Sequence, residues 1–194
     1  MTDKCYPDLY VIRHGQTEWN RAGLMQGHHD SPLTDDGKDQ AQRLHALLAG
    51  TDLPDRCRAW CSPLGRAQQT ASIALRGHFD NWTTDDRLME VGVGEFEGLS
   101  FEDAVQTDPR FVDMPGPIGW QFFAPGGETF EQFHARIQSW LDALDAPAVV
   151  VTHGITSRVM RSIVLGLGFD DLSDLPGGQG MIHRVRNGVA DIIG

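Results

Sequence analysis

Two short apolar runs constrain this chain more than anything else in it. Leu9-Tyr10-Val11-Ile12 runs into Arg13-His14-Gly15, and Ala148-Val149-Val150-Val151 runs into Thr152-His153-Gly154. Four apolar residues without polar alternation mark a strand covered on both faces, as in a parallel sheet with helices on either side. Each such strand delivers a histidine to its carboxyl end. The segments around them alternate. Thr34 is a suitable N-cap, Asp35 and Asp36 suit the positive end of a helix, Ala41, Leu44 and Leu48 share one face, and Gly50 stops it. Ala59 to Ser62 reads as a strand and Pro63 to Leu75 as a helix with proline at its start. Phe130, Phe133, Ile137, Leu141 and Leu144 recur at helical spacing, and Ile155 to Leu165 is a further helix. Met181–Val185 and Val189–Ile193 flank Asn187-Gly188, a hairpin turn signal. The expected class is α/β: a three-layer sandwich with a mainly parallel sheet, helices on both faces and an antiparallel end. Ligands bind beyond the carboxyl ends of such strands, where both histidines should meet.

At 194 residues the chain reads as one domain, residues 1–194, without repeat or linker. Sixteen Lys and Arg against 27 Asp and Glu leave a net charge of −11, a field that repels nucleic acid and anionic lipid. An anionic ligand therefore needs a local cationic pocket. Three cysteines, Cys5, Cys57 and Cys61, make no disulfide framework. The N-terminal residues lack a secretory pattern and no stretch reaches the length of a membrane span, so a cytoplasmic location is expected.

The sequence contains no GxxxxGK[ST] loop, HExxH motif, GxSxG elbow or paired CxxC. It does contain Arg13-His14-Gly15-Gln16-Thr17, Asn20, Ser62-Pro63-Leu64-Gly65-Arg66-Ala67, Glu90 leading into Gly92-x-Gly94-x-x-Glu97-Gly98, and Val151-Thr152-His153-Gly154. Alone, each has a bland reading: a surface Arg-His pair, a helix-surface charge at Arg66, a solvated acid at Glu90. In this order, each at a strand end or helix start, they agree on one site. From Leu9 to about Gly154 the chain resembles the histidine phosphatase superfamily, which includes the cofactor-dependent phosphoglycerate mutases.

The resemblance implies a phosphoglycerate mutase-like fold and a phosphohistidine mechanism without cofactor or metal. Phosphoryl transfer is mostly positioning and charge stabilisation, so it calls for fixed cations around one nucleophile. Arg13 and Arg66 can supply forked donors, supplemented by backbone N–H groups at the helix after Ser62. By resemblance His14 is the nucleophile, His153 donates to the phosphoryl group without being phosphorylated, and Glu90 is first acid and then base. Physics alone does not separate Glu90 from Glu95 and Glu97. Asn20, Gln26 and Gly27 fall where family members contact phosphate or substrate.

Within the family the reading favours a phosphatase, acting on a small-molecule phosphate ester and releasing inorganic phosphate. A mutase must retain a doubly phosphorylated intermediate, yet between Glu90 and His153 there are ten acidic residues and two basic ones, Arg110 and Arg136. The basic, tyrosine-bearing insertion of the family's mutases is absent. Phosphoglycerate mutase and a catalytically silent phospho-ligand binding module are the alternatives, and a homodimer is a state the family permits. Asp113 to Gly127, rich in Pro, Gly and aromatics, reads as a loop, either packed on the surface or walling the site. Trp120, Phe122 and Phe123 there suggest a substrate with a partly apolar body. His28-His29 reads as a turn at the pocket rim rather than a metal site. His45, His78, His134 and His183 read as surface or satisfied structural residues, and Cys57 and Cys61 as small, partly buried ones.

Overall fold

Alternate residues of the two histidine-tipped strands enter different cores. The computed structural model describes residues 5–108 and 116–194. In β1 (Leu9–Arg13), Leu9 and Val11 face one core while Tyr10 and Ile12 face the other; in β4 (Ala148–Thr152), Ala148 and Val150 oppose Val149 and Val151 in the same way. The first core receives Phe133, Ile137, Trp140 and Leu141 of a helix at Phe130–Asp142 together with Val159 and Met160 of one at Gly154–Leu165. The second receives Leu44 and Leu48 of a helix at Asp35–Ala49 and Ala67, Ala71 and Ala74 of one at Gly65–Ala74. Two helical layers thus enclose the sheet, which explains the unbroken apolar runs.

In chain order the elements are β1, α1 (Glu18–Ala22), α2 (Asp35–Ala49), β2 (Arg58–Cys61), α3 (Gly65–Ala74), β3 (Thr83–Thr84), α4 (Phe101–Thr107), α5 (Gly116–Gly119), α6 (Phe130–Asp142), β4, α7 (Gly154–Leu165), β5 (Ile182–Arg186) and β6 (Val189–Ile193). The sheet order is β3-β2-β4-β1-β5-β6, parallel from β3 to β1 and antiparallel from β1 to β6. Neighbouring strands β1 and β4 send their following helices, α2 and α7, to opposite faces of the sheet. A crevice opens at such a switch point beyond the carboxyl ends. Arg13 lies opposite Thr152, so His14 and His153 follow side by side.

Local signals act as read. The Thr34 side chain accepts from Gly37 N at 3.0 Å, and Asn187 and Gly188 take φ of 52° and 73° between Arg186 and Val189. Two readings need correction. Pro63 precedes α3, whose first residue is Gly65, because Asp30 takes over the helix start by accepting from Gly65 N at 2.6 Å and Arg66 N at 3.2 Å. The segment read as a loop from Asp113 to Gly127 falls partly outside the described residues, and its remainder contains α5 and a 3₁₀ turn at Trp120–Phe122. These turns are too short to generate periodicity, yet they bury Ile118, Phe122 and Ala124.

Candidate active site

The peptide after β1 turns tightly against α2. A Cβ on Gly15 would lie 2.3 Å from Gly37 O, so glycine allows the close approach that sets His14 at the sheet edge. His14 N donates to Thr152 O at 2.9 Å and Gly15 N to Thr70 Oγ1 at 3.0 Å. The His14 ring is buried. Its Nδ1 lies 2.8 Å from Gly15 O, which can only accept, so Nδ1 carries the proton and Nε2 the lone pair. Arg66 Nε lies 3.3 Å from that Nε2 and donates to it, a contact requiring the same tautomer.

Arg66 is 1 % exposed and held on several sides. Nη1 donates to His29 O at 2.6 Å and to Asp30 Oδ1 at 3.0 Å, and Nη2 to Gly27 O at 2.8 Å. The donor facing His14 is therefore Nε, and Nη2 keeps a second N–H beyond its bond to Gly27 O. The backbone N–H groups of Gly65 and Arg66, read as additional phosphate donors, are engaged by Asp30 instead. Arg13 Nε is buried without a hydrogen-bond partner and packs beside Gly154, whose added Cβ would lie 3.4 Å from it and 3.7 Å from Glu90 Oε2. Burial pulls the Arg13 and Arg66 pKa values down and the Glu90 carboxylate opposes that pull.

His153 caps α7 without a side-chain capping bond and is fully buried. Its ring centroid is 5.2 Å from that of His14, edge-on. Nε2 lies 2.7 Å from Ser62 Oγ, and Nδ1 is buried without a partner. Burial pushes the pKa of both rings well below 6.5. Arg13 and then Arg66 deepen the shift at His14, and Arg66 is the leading charge at His153. Both imidazoles are neutral at pH 7.

Glu90 reaches the amino end of α7. Oε2 accepts from Ile155 N at 3.2 Å, and Oε1 accepts from Thr156 N at 3.1 Å and Thr156 Oγ1 at 3.0 Å. Glu90 lines the same cavity as Arg13, His14 and Arg66, a space of about 180 Å³ also bordered by Asn20, Gln26 and Gly27. Glu95 is exposed and Glu97 accepts from His28 N at 2.9 Å; neither lines that cavity. Asn20 Oδ1 accepts from Thr17 N and from Gln179 Nε2, Gln26 Oε1 is buried without a partner, and Gly27 has φ +50° with Glu97 against it.

Sequence reasoning missed several contributors. Gln179 Nε2 donates to His14 O at 3.1 Å as well as to Asn20, and it comes from an irregular Pro-Gly-Gly-Gln-Gly stretch without a periodic signal. Ser62 orients His153. Of the three aromatics expected at the wall, Trp120 lines the cavity with Leu24, Met25, Val91 and Val93, whereas Phe122 packs in the core and Phe123 is exposed elsewhere. His28 and His29 follow the cavity-lining Gly27 and stand near Glu128 and Glu97, respectively. His183 is buried against Arg161, as a structural residue, but His45 Nδ1 is buried without a partner, contrary to the satisfied role expected of it. Burial raises the Cys57 and Cys61 thiols to about 11 and about 12, so neither is a ready thiolate.

A family model, histidine phosphatase superfamily (branch 1), matches residues 9–188. The chain belongs to the histidine phosphatase superfamily. Among histidine phosphatase relatives, it is 33% identical over 171 residues to the 6-phosphofructo-2-kinase/fructose-2,6-bisphosphatase of Caenorhabditis elegans, covering 87% of this chain but 35% of that longer protein. It is 36% identical over 163 residues to the adenosylcobalamin/alpha-ribazole phosphatase of Salmonella typhimurium, covering 80% and 79% of the two chains. A Yersinia pestis relative named as a probable phosphoglycerate mutase, GpmB, is 31% identical over 166 residues, 82% of this chain and 75% of that one. Among solved structures, the alpha-ribazole phosphatase of Shigella flexneri superposes with a TM-score of 0.79 at 28% identity, over 94% of this chain and 93% of that one. The names of these relatives thus include phosphatases and a mutase. Among its described residues no helix is long and apolar enough to cross a membrane.

Proposed function

We propose that this chain is a phosphomonoesterase that hydrolyses a small phosphorylated metabolite through a phosphohistidine on His14. The observation carrying the reading is the fixed Nε2 lone pair of a neutral His14, facing Arg66 and sharing a cavity with Arg13 and Glu90. The phosphoryl group enters between His14 and Arg66, receiving Arg66 Nε–H and the second Nη2 hydrogen together with Arg13. His14 Nε2 attacks phosphorus in line while the P–O ester bond breaks, and Glu90, having taken a proton from solvent as the ester binds, gives it to the leaving alkoxide. The phosphorylated ring keeps its Nδ1 proton on Gly15 O, and that positive ring makes the P–N bond easy to break. Glu90, now a carboxylate, takes a proton from water; the hydroxide attacks phosphorus, His14 leaves, and inorganic phosphate forms.

His153 supports charge on the transferring group through Nδ1–H. Ser62 Oγ accepts from Leu64 N at 3.3 Å, leaving its own hydrogen free to donate to His153 Nε2 and to fix that tautomer. Asn20, Gln26 and Gly27 line the pocket beside Arg13 and Arg66. The described cations of the cavity are Arg13 and Arg66, a set matched to one phosphate dianion, which favours hydrolysis over retention of a bisphosphate; Arg110 lies outside the described residues.

The test is phosphate release from a panel of small phosphomonoesters in the presence of chelator, comparing wild type with His14→Ala. It is joined by denaturing quench after incubation with radiolabelled ester. Release and an acid-labile, base-stable label that both vanish in the variant are expected. Interconversion of phosphoglycerates without net release would instead establish a mutase, and absence of both would establish a binding module.

A further inference from the structure

Glu90 lies in an irregular segment between two 3₁₀ turns, Asp86–Leu88 and Gly94–Phe96, and no strand hydrogen bonds hold its backbone. A group that gives and takes a proton at fixed distance needs such a hold. Arg136, in the second turn of α6, supplies it. Nη1 donates to Arg87 O at 2.8 Å and Met89 O at 2.9 Å, and Nη2 donates to Glu90 O at 2.8 Å. The guanidinium is itself gripped by Glu128, through Nε at 2.7 Å and Nη2 at 2.8 Å, and lies 4.4 Å from the Phe133 ring centroid. Glu128 also ties the far side of the segment, accepting from Gly92 N at 2.9 Å while its own N–H donates to Gly92 O at 2.8 Å. With Thr152 Oγ1 on Leu88 O at 2.7 Å, the four consecutive carbonyls from residue 87 to residue 90 are all engaged.

We infer that Arg136, locked by Glu128, is a positioning residue that holds Glu90 for proton transfer; this rests on the reading of Glu90 as the acid and base. The carboxylate is held from the front by the start of α7 and the backbone from behind by α6. Both helices are anchored in the same core, α6 by Phe133, Ile137, Trp140 and Leu141, all at most 1 % exposed. The task suits arginine. Five planar donors reach three carbonyls and both carboxylate oxygens at once, a geometry the single point charge of lysine does not reproduce. His28 Nε2, 3.0 Å from Glu90 O, adds a rim contact to the same carbonyl.

The experiment compares kcat/KM for 4-nitrophenyl phosphate, whose leaving group needs no proton, with that for a simple alkyl phosphate, whose alkoxide does. This ratio is read for wild type, Glu90→Gln, Arg136→Lys and Glu128→Gln. General acid catalysis contributes roughly 10²–10⁴-fold, so Glu90→Gln should lose a factor in that range on the alkyl ester and far less on the nitrophenyl ester. Arg136→Lys should show the same selectivity at about tenfold to a hundredfold. Glu128→Gln, which keeps the shape of the side chain, should show a smaller loss in the same direction and carries the test if the lysine variant does not fold. Selectivity in Glu90→Gln with equal losses on both esters, or none, in the Arg136 and Glu128 variants would overturn the positioning role alone. Equal losses on both esters in Glu90→Gln would overturn the role of Glu90 and this inference with it.

Discussion

The burial that keeps the His14 ring neutral should also make the fold acid-labile. His14, His153 and His183 are at most 3 % exposed, and each is held below the ordinary 6.5, His183 at about 4 by burial, Arg161 and Arg158. Between 6.5 and the folded pKa, each imidazole binds a proton in the unfolded chain but not in the folded one. The unfolded state therefore holds more protons, stability rises with pH, and it is lost as pH falls below 6.5. At pH 5 His183, held at about 4 in the fold, favours unfolding by about 2 kcal/mol, against a total of roughly 5–15 kcal/mol for an ordinary domain, and His14 and His153 act in the same direction. Urea unfolding at pH 7, 6 and 5 measures the slope. His183→Gln, which retains an acceptor for Arg161 Nη1, should flatten the slope by up to about 1.4 kcal/mol per pH unit without touching the carboxylates. An unchanged slope in that variant would mean that His183 titrates freely in the folded state, whereas no loss of stability between pH 6.5 and 5 would mean the same of all three rings, and the account of a neutral His14 would fail with it.

Three other perturbations test the site. Arg66→Lys should lower kcat/KM by about 10²–10³-fold, since one ammonium cannot keep Gly27 O, His29 O and Asp30 while still facing His14; steady-state kinetics with a melting curve checks it. Gly27→Ala should destabilise by about 1–3 kcal/mol and weaken phosphate binding, because its φ is +50° and the new Cβ would meet Glu97 Oε1; a normal melting temperature would contradict this. Trp120→Ala should raise KM for aryl phosphates about tenfold while leaving kcat and the KM of small alkyl phosphates nearly unchanged; equal shifts for both ester classes would remove Trp120 from the substrate wall.

What the sequence makes legible is whatever has a period or terminates one. The apolar runs of β1 and β4 announce two-sided burial, and their parallel pairing follows from the alternation of strands with helices, so the meeting of His14 and His153 could be read before any coordinates. Arg66 was legible as a cation but not in its allocation: three backbone and carboxylate partners come from Gly27, His29 and Asp30, of which only Gly27 was expected at the site, and that by resemblance. Glu90 was separable from Glu95 and Glu97 only by resemblance, because an irregular segment gives no face to count. Gln179 and Arg136 were invisible for a related reason. One stands in a glycine-rich turn 165 residues from His14, and the other looks like a solvated helix charge until the carbonyls of residues 87, 89 and 90 are placed around it.

The electrostatics of the site divide labour in a way that composition conceals. A chain of net charge −11 gathers two arginines at one sheet edge and removes the neighbouring imidazoles from water. Charged histidines would bind a phosphate dianion more tightly, but a protonated Nε2 has no lone pair with which to attack it. In the proposed mechanism, desolvation together with Arg13 and Arg66 assigns binding to the arginines and displacement to His14, since each cation that attracts the ester also disfavours a proton on the ring. On that reading attack creates on His14 the positive charge that its surroundings oppose, and the transferred phosphoryl group, with its negative oxygens, is what offsets it. The proposed phosphorylated ring would thereby be kept reactive, as an intermediate to be passed on to water requires.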